Sequence, residues 1–131
     1  MTIVDSSVWV DYFNGNTTEE TKLLHGLLAA EPIAVGDIIL SEVLRGFKID
    51  KDFEIAKTVL SKLPCHDLCG RDIAIKSAEN YRVLRKKGIT VRKTVDMIIG
   101  TFCIENNFTL LHSDKDFDPM EKLLGLKTLK S

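Results

Sequence analysis

Four acidic side chains, Asp5, Glu42, Asp96 and Asp114, stand where they could meet as a set of oxygen ligands. In TIVDSSVWVDYF, residues 2–13, an apolar run stops on Asp5. Asp96 falls in the first turn of an apolar helical segment, Asp114 follows the apolar run 108–111, and Glu42 lies near the middle of a short helix. Any one of these acids has an ordinary explanation, because an Asp at a strand end or helix N-terminus commonly caps backbone N–H groups or complements the helix dipole. Gathered in a partly buried cleft, however, four carboxylates would repel one another and raise one or more pKa values unless cations were present. A divalent cation removes that difficulty. Ligands that are all oxygen suit Mg²⁺ or Mn²⁺ rather than zinc or copper, and such ions usually hold phosphate oxygens as well as water. No Walker loop or GxGxxG pattern is present, which leaves phosphodiesters rather than nucleoside triphosphates or dinucleotides as the natural substrates. In that chemistry the ions activate a water and neutralise charge on the attacked phosphate.

The elements that must position these acids are readable in outline. A short strand over 2–4 ends at Asp5, and Ser6 or Ser7 can cap a helix carrying Val8, Trp9, Tyr12 and Phe13. Thr17 with Glu20 has the form of a capping box, opening a helix with Leu23, Leu24, Leu27 and Leu28, closed by Pro32. Asp37 can cap a third helix with the stripe Leu40, Val43, Leu44 and Phe47, ending or bending at Gly46, and Glu42 lies just off that stripe. A fourth helix over 51–63, with Phe53, Ile55, Ala56, Val59, Leu60 and Leu63, stops at Pro64, and 65–68 suits a short strand. Residues 71–87 read as a long helix with Ile73, Ile75, Ala78, Tyr81 and Leu84 inward, stopped by Gly88 in a left-handed cap. Thr94 can cap the next helix, whose Val95, Ile98, Ile99, Phe102 and Cys103 form one apolar face, and Gly100 leaves room one turn beyond Asp96. Strands over 108–111 and 126–129 flank the acidic turn HSDKDFD, and the three prolines fall where elements should end. Strands apolar on both faces that alternate with helices give an α/β class, a central parallel β-sheet flanked by helices. Such sheets place their sites beyond the carboxyl ends of the strands, where Asp5 and Asp114 would emerge.

At 131 residues the chain suits one domain, long enough to bury roughly two thirds of its unfolded surface. Its net charge of −1 names no partner, and 44% hydrophobic with 28% charged residues excludes collagen-like, disordered and membrane classes. No signal-type segment opens the chain, so the expected location is the cytoplasm. Cys65, Cys69 and Cys103 read as reduced thiols; a zinc site would need a second ligand pair at matching spacing. No Ser/His/Asp order suggests a hydrolase triad. Between Arg71 and Lys93 stand eight basic and two acidic residues. Arg82, Arg85, Lys86, Lys87, Arg92 and Lys93 could carry a phosphate backbone toward Asp96. The four at the helix C-terminus also suit the helix dipole, which does not account for Arg92 and Lys93.

VDSSVWVDYF, ILSEVLRGF, TVDMIIGTFCIENNFTLL and HSDKDF, in this order and at these distances, together resemble the PIN-domain ribonucleases of the small VapC toxin type. The resemblance spans nearly the whole chain and implies a PIN-like fold and a metal-dependent endoribonuclease acting as the toxin of a toxin–antitoxin pair. It implies that Asp5 and Asp96 are the principal Mg²⁺ or Mn²⁺ ligands, with Glu42 and Asp114 binding a second ion or orienting the water. Asp116 would share the role of Asp114, and Ser6 and Ser113 would hydrogen-bond to these acids. Products with a 5′-phosphate and a 3′-hydroxyl are implied, as are a homodimer and a small antitoxin that inserts a basic side chain among the carboxylates. Transfer, ribosomal and messenger RNA all offer suitable loops. Trp9, Tyr12 and Phe13 would form either a partner groove or core. A PIN-like domain that binds RNA or protein without cutting is the main rival. A phosphoacceptor domain would need an acidic pair near Asp5, and Asp-Ser-Ser stands there instead.

Overall fold

The computed structural model describes residues 1–30 and 32–129. Strand β1 (Thr2–Val4) leads into helices α1 (Ser6–Phe13) and α2 (Glu19–Ala30), then β2 (Ile33–Gly36), α3 (Asp37–Leu44) and α4 (Asp50–Ser61). There follow β3 (Cys65–His66), α5 (Arg71–Lys86), α6 (Thr94–Asn106) and β4 (Thr109–Leu111). A 3₁₀ turn (Lys115–Phe117), α7 (Asp118–Leu124) and β5 (Lys127–Thr128) complete the described fold. The strands form one parallel sheet in the order β3-β2-β1-β4-β5, with Thr2 in register with Ile33 on one side and Thr109 on the other. The chain therefore winds outward from β1 to β3, crosses back to β4, and winds outward again. With right-handed crossovers this puts α1–α4 on one face and α5–α7 on the other.

The core follows from the strand composition. Ile3, Val4, Ala34, Val35, Leu110 and Leu111 are fully buried, covered by Trp9, Leu24 and Ile39 and by Ile99, Phe117 and Met120. Each fully buried aliphatic contributes roughly 1.5–3 kcal/mol. Strand β2 is absent from the sequence reading: Ile-Ala-Val-Gly is buried on both faces, so it has no alternation, and it is four residues long. Its last residue, Gly36, is a close approach, since a Cβ there would overlap the Leu68 side chain.

Several local expectations are corrected. Asp5 itself caps α1, its carboxylate accepting from Ser7 N, so neither serine is the cap. Ahead of α2 the reciprocal pair is Thr18 with Thr21, each backbone N–H bonded to the other's hydroxyl at 2.8 and 3.0 Å, one residue beyond the expected Thr17–Glu20 box. Thr94 makes no cap; Lys93 occupies that position without a side-chain bond. Pro119 begins α7 rather than ending an element, its missing N–H costing nothing in the first turn. In α5 the inward face is Ser77, Asn80 and Leu84, while Ile75 is 55% exposed and Ala78 is exposed. Asn80 donates to Thr101 at 3.1 Å, a buried polar link that joins α5 to α6 and shifts the expected stripe. Helix α6 is buried nearly all round rather than on one face, as befits a helix packed between others. Gly88 does take the left-handed conformation expected after α5, with φ +80°.

Candidate active site

The order of strands makes β1 and β4 neighbours whose connections leave in opposite directions, so a crevice opens beyond their carboxyl ends. Asp5 and the 112–116 turn emerge there, and the Asp5 amide donates to Leu111 O at 2.9 Å, tying the two strand ends together. The N-terminus of α6 brings Asp96 to the same edge. One oxygen each of Asp96, Asp114 and Asp116 lie within 4.8 Å of one another. Asp5 is within electrostatic reach of this trio, its charge raising Asp96 and being raised by Asp114, while Glu42 is in reach of Asp5 and Lys93. Of the four acids named from spacing, Asp96 and Asp114 come together with Asp116 in the tightest group, Asp5 is in electrostatic reach of both, and Glu42 is in reach of Asp5 alone among them.

The local chemistry of each acid differs. Asp5 is buried, which pushes its pKa up, and Oδ2 accepts the Ser7 hydroxyl at 2.7 Å. Ser113 donates to Ser7 at 3.2 Å, so it reaches Asp5 through that hydroxyl. Ser6 lies against Glu42. Asp114 Oδ1 accepts the Asp116 amide at 2.9 Å, which aims both carboxylates from one tight turn. Asp96 is pushed up to about 7, first by burial and then by the charges of Asp5 and Asp114. Glu42 is raised by burial and by Asp5. Asp96 Oδ2 and Glu42 Oε1 are buried without a hydrogen-bond partner among the described residues. Buried polar atoms are normally paired, so these two oxygens keep acceptor capacity that a cation or water could take up.

The residues present fit a hard divalent cation. Oxygens of one Mg²⁺ shell, at about 2.0–2.1 Å from the ion, stand up to about 4.2 Å apart, close to the 4.8 Å within which the trio's oxygens lie. The expected use of Gly100 is corrected: a Cβ there would fall on the Met120 sulfur, so the missing side chain admits α7 rather than a ligand.

Two further residues shape the site. In the sequence Ser7 reads only as a possible cap, although the Asp-x-Ser spacing is the signal for a side chain turning back on its carboxylate. His112 accepts the Asp114 amide through Nδ1 at 3.2 Å, and its ring lies 4.9 Å from that of Phe117, bracing the turn. A residue type alone carries no sign of such a role. The aromatic alternatives resolve toward core: Trp9 is fully buried, and Tyr12 and Phe13 are half-buried against it.

The basic band divides. Arg82, Arg85, Lys86 and Arg92 line a groove of about 810 Å³ between α5 and the start of α6, floored by Tyr81 and Met97. Lys87 is exposed outside it. Lys93 turns to the acids instead, with Nζ 4.0 Å from Asp114 Oδ2. No described helix is long and apolar enough to cross a membrane.

The chain is similar over nearly its whole length to known proteins. Residues 2–123 match the family described as PIN domain. The VapC ribonuclease Mb1587 of Mycobacterium bovis is 28% identical over 129 residues, covering 97% of this chain and 96% of that one. Among solved structures, VapBC2 from Rickettsia felis bound to a promoter DNA fragment matches with a TM-score of 0.74 at 20% identity, covering 98% of this chain and 96% of the other. A toxin–antitoxin complex from Klebsiella pneumoniae gives 0.72 at 21%, covering 99% and 97%.

Proposed function

The chain belongs to the PIN domain family, and from that premise we propose that it is a metal-dependent endoribonuclease, the toxin of a toxin–antitoxin pair. The observation that carries the reading is the cluster of Asp96, Asp114 and Asp116 oxygens within 4.8 Å of one another, in which Asp96 Oδ2 is buried without a hydrogen-bond partner among the described residues. Full-length similarity to a VapC ribonuclease supports RNA as the substrate. Asp5, Asp96, Asp114 and Asp116 would hold Mg²⁺ or Mn²⁺, with Glu42 orienting the attacking water or joining a second ion. Bound there, the cation would polarise a water and offset the phosphate charge. The protein's own part is orientation. Ser7 holds Asp5 in one rotamer, backed by Ser113, and the His112-braced turn holds Asp114 and Asp116. The groove with Arg82, Arg85, Lys86 and Arg92 would bind the RNA backbone, and cleavage of transfer, ribosomal or messenger RNA would stop translation. A small antitoxin laid in the acidic cleft, and a homodimer in the cytoplasm, complete the reading; the Klebsiella complex supports such a partner. Asp5, Glu42, Asp96 and Asp114 are all present, which favours this over a non-cutting binding domain.

Asp5→Asn tests the assignment. The variant is expected to keep the wild-type circular dichroism spectrum and lose cleavage of cellular RNA. A folded variant with full activity would remove Asp5 from the site.

The raised Asp96 gives a second test. Below about pH 7 its carboxyl holds a proton that a cation must displace, so Mn²⁺ affinity is expected to rise about tenfold per pH unit up to about 7 and level off above. Mn²⁺ titration followed by electron paramagnetic resonance at pH 5.5–8.5 measures this. A flat profile would contradict it.

A further inference from the structure

Lys93 stands apart from the rest of the basic band. Its neighbour Arg92 lines the groove between α5 and α6, yet the Lys93 ammonium lies over the carboxylates, 4.0 Å from Asp114 Oδ2. Its backbone is pinned, because the carbonyl accepts from Asp96 N at 3.1 Å and Met97 N at 3.4 Å at the start of α6. Its side chain is 66% exposed and otherwise free to swing. A separation of 4.0 Å is longer than a hydrogen bond, and such an exposed pair is weak and easily exchanged. The same charge also offsets Asp96 and Glu42, so one cation serves acids from α3, α6 and the 112–116 turn.

Resting on the nuclease reading, we propose that Lys93 is a catalytic residue whose ammonium leaves Asp114 and contacts a non-bridging oxygen of the scissile phosphate when RNA fills the cleft. Consecutive residues then divide the work: Arg92 holds the incoming backbone in the groove, and Lys93 receives the phosphate at the acids. In the hydrolysis the water oxygen bonds to phosphorus and the P–O3′ bond breaks. The water yields one proton to solvent, and the departing 3′-oxygen takes one up. The phosphate gains one negative charge on the way to the transition state, at the oxygens Lys93 faces. A cation placed there stabilises the transition state more than the ground state. Without substrate it occupies the acids and competes with the divalent ion. That gives Lys93 two effects of opposite sign.

The test uses Lys93→Met and Lys93→Arg in the full chain. Mn²⁺ binding to the free protein is measured by electron paramagnetic resonance. Cleavage is measured under single turnover, at saturating Mn²⁺, on a synthetic RNA copied from a fragment site mapped with the wild type. Lys93→Met is expected to bind Mn²⁺ several-fold more tightly and to cleave about 10²-fold more slowly, since losing one donor to a developing oxyanion costs about that much. Lys93→Arg should recover part of the rate. Unchanged cleavage, or cleavage and Mn²⁺ affinity falling together, would overturn the proposal, the second outcome assigning Lys93 a structural role only. If the wild type cuts no RNA, the nuclease reading fails, and unchanged Mn²⁺ affinity in Lys93→Met would then dispose of the Lys93 proposal separately.

Discussion

Replacing Asp96 with Asn is expected to abolish RNA cleavage, by about 10³-fold or more, and at the same time to stabilise the metal-free protein at pH 8. The loss follows from removing a ligand to a cation that supplies several kcal/mol of transition-state stabilisation, at 1.36 kcal/mol per tenfold. The gain follows from electrostatics. Asp96 is buried among Asp5, Asp114 and Asp116, and its carboxyl is held at about 7 against an ordinary value of 3.8. Between those two pH values the folded, metal-free protein therefore binds more protons than the unfolded chain. Its stability falls as pH rises through that window, and the deficit is complete above about pH 7. An uncharged amide has no such penalty and can donate to the neighbouring carboxylates. The melting temperature of Asp96→Asn in chelator should match the wild type near pH 4 and exceed it by several degrees at pH 8. A variant that keeps cleaving, or that is less stable than the wild type at pH 8, would contradict this account.

Trp9→Ala is expected to cost about 3–5 kcal/mol, a large share of the roughly 5–15 kcal/mol that holds a domain folded. Trp9 is fully buried, stacked on Phe13 at 5.8 Å and edge-on to Tyr12 at 6.2 Å. Phe13 in turn meets Phe47 at 5.8 Å, and Tyr12 meets His25 at 6.4 Å, so one aromatic cluster joins α1 to α2 and to the segment after α3. Helix α1 starts on the Asp5 cap, and α3 carries Glu42. The cavity left by Trp9 would loosen two walls of the cleft as well as the core. Urea unfolding measures the effect as a lower midpoint at unchanged slope. A cost under about 1 kcal/mol would show that the cluster is peripheral.

Asp5, Asp96 and Asp114 are legible in the sequence because each stands at or just beyond an element end, where abrupt changes of residue type mark the boundary, whereas Glu42 lies inside α3 and is read only from its place beside the apolar stripe. Asp5 after Thr-Ile-Val and Asp96 after Thr94-Val95 need only a parallel sheet to be brought together. Strand β2 was hidden because four buried residues between Pro32 and Asp37 have no period. The inward face of α5 was misread because its contact with α6 is made by Ser77 and Asn80, polar residues that an apolar stripe passes over. Gly100 looked like space for a ligand, and only the packing of α7 shows Met120 filling it. Lys93 and Arg92 read as one basic patch, since adjacent residues at a helix start point in directions that composition does not encode.

The central claim, that the acidic cleft hydrolyses RNA with a divalent cation, is tested most directly by product chemistry. The purified chain, freed of any bound partner, is incubated with cellular RNA in Mg²⁺ or Mn²⁺, in chelator, and in chelator followed by excess cation, and the fragment ends are determined. The expected result is discrete fragments with 5′-phosphate and 3′-hydroxyl ends that vanish with chelator and return with cation. Cleavage that persists in chelator, or fragments ending in 2′,3′-cyclic phosphate, would contradict the claim.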